Sequence, residues 1–556
     1  MRDSDPRLAR FLLVLAVFAV YLPLVGGGFV WDDHLLVVEN QLTGSLSNIP
    51  EMFLTDLWGA TPVPEAEPGY YRPLMLVDLA VSRALFGLNH RLHHLHNLLW
   101  HGLAILLLLR LLERLLRDKL AATFGAAVFA LHPVQIEVVG FISARNDPMA
   151  VAWLLAALLI LSEEKPSIWA LLGGAIACAA AMLCKESVVF APLLLAFACR
   201  ARWGGWGSRS AHLSVLSGFG LAFGMRAAAG VGFPAQADWE HLSAVGTPAL
   251  AFYLNKIVWP IDIAPVIHFG WLPAIPWFAA IMAMALLALL ASAGGPFARA
   301  GLVFAFLGLV PAWAAVAHVG AVVDRYLYLP MVGIGWAVAA VAQRPMVRRA
   351  IVLALALLTM LSMRQVPVWK NEATLWQASI QRAPSGYAKG ALARWLEDQH
   401  LNKDAAFWYH QAVIQPPMPF HESCFNVTRI HLKLGDPVSA IEAGLDAVNA
   451  GCEQTPELMA PLALAYALDG QWDKARIESA KITQDPTGKA ALAGLAAVAH
   501  AGDVDALRVA IAAAGPGDGP RLRAQVLTVI ARGGGDPAAI AQALESFEGD
   551  EESTAN

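Results

Sequence analysis

Charged residues are scarce in this chain. Asp, Glu, Lys and Arg make up only 15% of its 556 residues, whereas hydrophobic residues make up 57%. A soluble domain rarely has this balance, which is typical of a protein that crosses the membrane several times. The formal net charge is also small, at −5, and it gives no support for nucleic-acid binding.

Cysteine is rare as well, with five residues. Cys178, Cys184 and Cys199 lie in apolar runs and are interpreted as packing residues. Cys424 begins the first helix of a predicted helical pair, and Cys452 follows the second. These ends are neighbours in an antiparallel pair, so a disulfide is feasible in an oxidising compartment such as the periplasm. Two free thiols are the alternative.

Hydrophobicity is unevenly distributed along the chain. Long apolar runs end near residue 363, and the remainder is rich in alanine and charge. We therefore expect an all-α protein with two parts, a transmembrane domain at 1–369 and a soluble repeat domain at 370–556. Since a span needs roughly 20 apolar residues, about eleven spans are predicted. They lie near 10–27, 95–112, 121–140, 147–162, 167–183, 187–199, 211–230, 274–293, 300–318, 327–343 and 350–363.

The first run, 10–27, is predicted to be a retained span and not a cleaved signal peptide. No small-residue cleavage site clearly separates it from the acidic pair Asp32–Asp33. Basic clusters in three connectors, at 110–119, 200–209 and 344–349, then place those connectors on the cytoplasmic side. With a cytoplasmic N-terminus, the loop at 28–94 and the C-terminal domain are predicted to be external.

The segment 248–265 is interpreted as interfacial or re-entrant. If it spanned the membrane, the basic cluster at 344–349 would move outside, against the charge rule.

Polar residues collect on the predicted external face, where ionisable groups at a membrane boundary are candidates for function. The candidates are Asp32, Asp33, Arg72, His132, Glu137, Arg145, Asp147, Lys185, Glu186, Arg325 and Tyr326. Structural alternatives remain open. The Asp pair could cap a helix, Arg145–Asp147 and Lys185–Glu186 could be ion pairs, and Arg72 could extend its charged end to lipid headgroups. For the four histidines at 93, 94, 96 and 101, packing is favoured over metal binding.

The C-terminal part contains a repeat. Turns at Asn402, Gly435, Gly470, Gly502 and Gly535 are separated by 33, 35, 32 and 33 residues. A tetratricopeptide repeat has about 34 residues and stacks into an α-solenoid. Such an array typically binds an extended peptide or protein. A rigid cap on the membrane domain is the alternative.

Seven short motifs occur in a characteristic order. They are Phe29-Val30-Trp31-Asp32-Asp33, Tyr71-Arg72-Pro73-Leu74, the histidine-rich stretch at 94–101, Ala130-Leu131-His132-Pro133-Val134 with Glu137, Arg145-Asn146-Asp147, Cys184-Lys185-Glu186, and Asp324-Arg325-Tyr326-Leu327-Tyr328-Leu329-Pro330. Each is weak alone. Together they resemble the transmembrane-and-tetratricopeptide (TMTC) family of O-mannosyltransferases, and the chain looks like a bacterial relative.

The resemblance implies a GT-C glycosyltransferase fold and a polyprenyl-phosphate sugar donor. It also implies work on the non-cytoplasmic face, with Asp32–Asp33 as the acidic pair of the first external loop. For a bacterial relative this means a multi-pass protein of the inner membrane with a periplasmic active site. The expected partners are the donor lipid, an acceptor protein and the bilayer.

The expected chemistry is a single inverting displacement. The acceptor hydroxyl needs one general base, and Asp32 is favoured for this role. Asp33 would orient the acceptor or hold a divalent ion, since metal dependence is left open. The donor phosphate needs cations, and the order of preference is Arg325, then Lys185, with Arg145 or Arg72 as further options. The catalytic group also includes Glu137, and supporting residues would be His132, Asp147, Glu186 and Tyr326.

Two other functions remain open at this point. The chain could transfer the sugar to a glycan or lipid, or it could be a non-catalytic membrane scaffold that displays the repeats.

Overall fold

The structure is a computed structural model. It describes residues 6–62, 69–116, 118–232, 239–261, 264–268, 277–319, 321–415, 420–482, 489–542 and 544. The expected all-α fold is confirmed, because the described residues form helices almost throughout and contain two short strands. The chain divides into two compact units, Met1–Ala383 and Pro384–Asn556. The division falls after residue 383 and not after the expected 369, so helix Glu372–Arg382 belongs to the first unit.

The first unit contains fifteen α-helices in its described part. They are Pro6–Tyr21, Ile49–Met52, Pro73–Phe86, His90–Leu116, Lys119–Leu131, Ile136–Gly140, Asn146–Leu161, Ile168–Cys184, Ala191–Trp203, Arg209–Ala228, Trp239–Val258, Trp277–Val319, Tyr328–Ala342, Pro345–Gln365 and Glu372–Arg382. Helix Trp277–Val319 breaks at Gly295, whose φ of 64° lies in the left-handed region.

Several of these helices are suited to a membrane. Within the described ranges, six helical segments are long and apolar enough to cross one, or seven if one bent pair is a single span. They are Pro6–Gly26, His90–Leu116, Ile142–Leu161, Ile281–Trp313, Asp324–Ala342 and Pro345–Trp369. The chain is therefore a multi-pass membrane protein. The predicted count of about eleven is not confirmed.

A bend within one apolar run places the Glu137 carboxylate in the protein interior. Lys119–Leu131 and Pro133–Gly140 meet at 55°, where the sequence predicts a single span at 121–140. The break is at His132–Pro133. The His132 ring nitrogen Nδ1 accepts the Val134 N–H at 3.4 Å, and Pro133 occupies the first position of the new turn. Glu137 then lies on the second arm of the bend.

Two short strands hold the start of the Asp324–Leu327 turn in position. Val266–His268 pairs antiparallel with Ala321–Val323, in the register Val266 opposite Val323. The Tyr253 hydroxyl donates to the Val323 carbonyl at 3.1 Å and accepts its N–H at 3.3 Å. The predicted interfacial segment 248–265 thus ends helix Trp239–Val258 and leads into the first strand. Its residues 262 and 263 lie outside the described part of the chain.

The second unit consists of helices arranged in successive pairs. Its described helices are Gly386–Asp398, Asn402–Val413, His421–Lys433, Pro437–Asn449, Pro456–Leu468, Trp472–Ala480, Lys489–His500 and Val504–Arg532. The predicted turns at Gly435, Gly470 and Gly502 all have positive φ, at 76°, 76° and 93°, which a glycine adopts without strain. Ala440 and Ala475, which follow two of these turns, are fully buried, so the paired helices pack closely there.

Cys424 and Cys452 form a disulfide in this unit. Cys424 lies in helix His421–Lys433 and Cys452 follows helix Pro437–Asn449, so the bond joins the open ends of one helical pair. Cys178, Cys184 and Cys199 are buried free thiols of the first unit.

Glu397 joins three helices of the second unit. Its carboxylate accepts hydrogen bonds from Arg429 at 2.8 Å, Lys433 at 3.0 Å and Tyr409 at 3.2 Å. Burial raises the pKa of Glu397, but the hydrogen bonds from Arg429 and Lys433 outweigh it and lower the pKa to about 2. The ionised form therefore stabilises the fold above the ordinary pKa of 4.5, and this contribution is lost as the pH falls towards 2.

Glu397→Gln is expected to lower the opening free energy of these helices by about 1 to 3 kcal/mol near neutral pH, because a charged acceptor is lost. Amide hydrogen exchange of the full-length protein in detergent measures it. The difference from wild type should shrink at about pH 3. The exposed Glu457→Gln is the matched control. An undiminished difference at low pH would contradict this account.

Candidate active site

The backbone at Trp31 is unusual. Its φ is 53°, in the left-handed region that a bulky residue rarely adopts. Contacts hold it there, because the Trp31 ring stacks on Phe141 with centroids 5.3 Å apart and its N–H donates to Glu372 at 2.9 Å. Such strain costs about 1 to 3 kcal/mol and is concentrated at functional sites. The conformation determines where the next two residues, Asp32 and Asp33, are placed.

Asp33 points into the protein. Its side chain is fully buried and accepts the Ser143 N–H and hydroxyl, each at 2.7 Å, and the Val30 N–H at 3.1 Å. Burial raises the pKa of Asp33 to about 6, and the hydrogen bonds partly oppose the rise. Asp33 thus ties the Trp31 loop to the Ile142–Arg145 turn.

Asp32 is in a different environment. It is partly exposed, and its charge acts on the guanidinium of Arg325. The adjacent carboxylates therefore face different surroundings, one enclosed by donors and one beside a cation.

Glu137 holds the turn that carries Arg325. Its side chain is 1% exposed. One carboxylate oxygen accepts the N–H groups of Asp324 at 2.7 Å and Arg325 at 3.1 Å, and the other accepts Arg325 Nη1 at 2.8 Å. Because Glu137 binds both the backbone N–H and the side chain of Arg325, the guanidinium has little conformational freedom.

Aromatic rings surround the Arg325 guanidinium. Its central carbon lies 5.1 Å from the Trp31 ring, 5.6 Å from Phe141 and 5.7 Å from Tyr326. These distances are in the range of cation–π attraction. The Tyr326 ring is also 5.4 Å from Lys185 Nζ, so one ring contacts two cations.

Lys185 is paired with Asp147. Its Nζ donates to the two Asp147 oxygens at 2.6 and 2.7 Å, and both side chains are nearly buried. Burial lowers the pKa of Lys185, Asp147 raises it, and the charges of Arg72 and Arg325 lower it further, with a net decrease. The charges of both arginines therefore act on Lys185.

Arg72 completes the group of cations. Its Nε donates to Glu186 at 3.1 Å, and its guanidinium lies 4.6 Å from the Tyr70 ring centroid. We call Arg72, Lys185 and Arg325 the cation cluster. In the described part of the chain, no group accepts from the terminal nitrogens of Arg72 or from Nε and Nη2 of Arg325. The cluster therefore keeps unused donors beside its carboxylate partners, which suits an oxyanion ligand.

Two of the sequence candidates lie apart from this cluster. Arg145 is fully buried and donates to Asp78 and Ser82 at 2.9 Å each, to the His93 carbonyl at 3.1 Å, and to Asn97. Its charge is used to join helices inside the unit. His132 forms the bend described above and bonds the Ile257 carbonyl at 3.1 Å. These contacts give both residues a structural role.

Sequence reasoning missed two buried cations. Lys256 forms an ion pair with Asp324, next to Arg325. Arg226 is 5% exposed and contacts Glu186, the partner of Arg72. The available signal was a lone charge within an otherwise apolar segment, which usually has a buried partner. Across the described ranges, no group of three or more His, Cys, Asp or Glu side chains could hold a metal ion.

Comparison with known proteins shows which class of protein this chain resembles. Residues 72–225 match the family model described as dolichyl-phosphate-mannose-protein mannosyltransferase. This segment contributes Arg72, Glu137, Asp147, Lys185 and Glu186 to the site. No solved structure matches the chain.

Individual relatives agree with this class. Protein O-mannosyl-transferase Tmtc2 of Drosophila melanogaster is 31% identical over 188 residues, which is 32% of this chain and 20% of the relative. Protein O-mannosyl-transferase TMTC3 of Mus musculus is 29% identical over 154 residues, 28% of this chain and 17% of the relative. The expected resemblance to the TMTC-type O-mannosyltransferases is confirmed, and the matched region spans about a fifth of these relatives.

The two adjacent carboxylates should respond differently to mutation. Asp33→Asn replaces one acceptor oxygen by an amide donor that faces buried N–H groups, so a loss of about 1 to 3 kcal/mol is expected. Asp32→Asn, at a partly exposed position, should keep the thermal stability of wild type. Thermal unfolding in detergent measures both variants. An equal decrease in the unfolding temperature of both variants would contradict the different environments assigned to Asp32 and Asp33.

Proposed function

We propose that the protein is a membrane glycosyltransferase that moves a mannose-like sugar from a polyprenyl phosphate to a protein hydroxyl. The observation that carries this proposal is the cation cluster, in which Lys185 and Arg325 both contact the Tyr326 ring while the charge of Asp32 acts on Arg325. The similarity to enzymes named protein O-mannosyl-transferases supports it. A GT-C type of fold is part of the proposal.

The cluster suits a donor phosphate for a physical reason. A phosphodiester leaving group becomes more negative as the sugar–oxygen bond breaks, and preorganised cations stabilise that charge most in a water-poor site. Arg72 and Arg325 offer planar forks, and Lys185 offers a point charge. Each is already held by a carboxylate, Glu186, Glu137 or Asp147, so little reorganisation is needed on binding.

Asp32 is the best general base of the adjacent pair. The Asp33 oxygens are occupied by Ser143 and Val30, whereas Asp32 is partly exposed next to the cluster. A carboxylate there can accept the proton of the acceptor hydroxyl as the oxygen attacks the anomeric carbon. The sugar–phosphate bond breaks on the opposite side, and the anomeric configuration inverts. The phosphate leaves as the polyprenyl phosphate anion.

The remaining parts of the proposal concern location and acceptor. The second unit would act as a tetratricopeptide-like array that recruits the acceptor protein. Its disulfide supports an oxidising compartment, so the site and repeats are proposed to face the periplasm of a bacterial inner membrane. Transfer to a glycan or lipid would leave the same site unchanged.

Asp32→Asn is expected to lower transfer by about 100-fold or more, in the range that general-base catalysis contributes. Purified protein is incubated with polyprenyl-phosphate mannose and a serine- and threonine-containing peptide, and mannosyl-peptide and lipid phosphate are measured. Glu51→Gln, an exposed carboxylate of the same loop region, is the control. Full transfer by Asp32→Asn would remove it as the base. Lipid phosphate release without peptide product would indicate another acceptor, and no turnover by wild type would favour a scaffold.

Cysteine labelling tests the compartment. After denaturation without reductant, a maleimide should label three of the five cysteines, and all five after reduction. The protein must be taken from cells with thiols blocked at lysis. Cys424→Ser is the control and should expose Cys452 to label without reductant. Five labelled thiols before reduction would contradict an oxidising location.

A further inference from the structure

We propose that Arg226 is a positioning residue that holds Arg72 in place for the donor phosphate through Glu186. This inference rests on the proposed function, because it takes the ligand of Arg72 to be a lipid-linked phosphate.

Arg226 is placed to connect separate parts of the chain. It lies in the last turn of helix Arg209–Ala228 and is 5% exposed. Its Nη2 donates to the Gly69 carbonyl at 2.6 Å and to the Gly232 carbonyl, and its Nη1 lies 3.5 Å from a Glu186 oxygen. One guanidinium thus joins a carboxylate to the backbone just before Arg72.

Glu186 transmits this restraint. The oxygen that faces Arg226 also accepts the Tyr71 N–H at 3.1 Å, and the other oxygen accepts Arg72 Nε at 3.1 Å. Glu186 is therefore shared by two arginines and one backbone group. A carboxylate fixed on several sides presents its remaining oxygen in a defined direction, and that oxygen sets the plane of the Arg72 guanidinium.

Arg72 needs such support because its own backbone does little to fix the side chain. It directly precedes helix Pro73–Phe86 and has φ −132° and ψ 56°, outside the regular helix and strand regions. Nε is bound to Glu186 and the Tyr70 ring lies against the guanidinium, so the group is held on two sides. A misdirected guanidinium would keep its charge but lose the paired geometry that a phosphate requires.

The consequence falls on the donor phosphate and not on the acceptor. Arg226 reaches Arg72 through Glu186 and the Gly69–Arg72 backbone. Its loss should therefore lower kcat/KM for the donor, because Arg72 faces a phosphate whose charge grows in the transition state, and leave the acceptor KM nearly unchanged.

The test compares Arg226→Gln, Glu186→Gln and the double variant with wild type, all full-length in detergent. We expect each single variant to lower kcat/KM for the donor about 10-fold, with the acceptor KM within about twofold. The double variant should be no worse than either single one, since the residues act in one chain of contacts. Arg226→Lys keeps the charge but cannot reach all three partners, so it should be intermediate. Arg209→Gln, exposed at the start of the same helix, should match wild type.

A second measurement separates this inference from the proposed function. Binding of polyprenyl phosphate without sugar, followed by native mass spectrometry, needs no turnover. Weaker binding by Arg226→Gln, with an inactive wild type, would support the positioning role and overturn the transferase. Reduced thermal stability with unchanged kcat/KM for the donor and unchanged lipid binding would overturn the positioning role. If wild-type protein binds no polyprenyl phosphate, both proposals fall.

Discussion

The grip of Glu137 on Arg325 is the interaction on which the site depends. Asp324 and Arg325 lie 187 and 188 residues after Glu137 in the chain. The buried Glu137 carboxylate accepts the backbone N–H groups of both residues and the Arg325 guanidinium. Removing one partner of a buried pair costs about 3 to 5 kcal/mol, because the other charge stays unpaired. Arg325 in turn contacts Trp31, Phe141 and Tyr326. The bend at His132–Pro133 matters because it turns Glu137 toward this position.

The other cations follow the same rule. Each is paired with a carboxylate, Glu186 for Arg72 and Asp147 for Lys185, which limits the cost of burying charge beside a membrane. Partial neutralisation also leaves donors for a ligand. Unpaired cations would repel one another, and a cation with nearly all its donors bonded inside the protein, such as Arg145, has little left for a ligand. The cation cluster lies between these limits, which is consistent with the proposed phosphate site.

Two neighbouring carboxylates with different surroundings can take different roles. Asp33 accepts three hydrogen bonds and holds the loop, so the strained Trp31 backbone can persist. Asp32 is thereby kept at the edge of the cluster. In the proposed mechanism both carboxylates are required. Asp33 holds the loop, and Asp32 meets the reacting atoms.

The sequence by itself determined the helical class, the membrane character and the repeat turns, because apolar runs, scarce charge and turn glycines act locally. It also pointed to most of the residues that surround the cation cluster, since ionisable groups near apolar spans are costly without a purpose. Only the tertiary structure showed the different surroundings of Asp32 and Asp33, the bonding partners of Arg145 and His132, and the contact of Arg226 with Glu186. Those distinctions depend on hydrogen-bond partners that are, for Asp33 and Ser143, 110 residues apart. No spacing along the chain encodes which donor a buried side chain will meet.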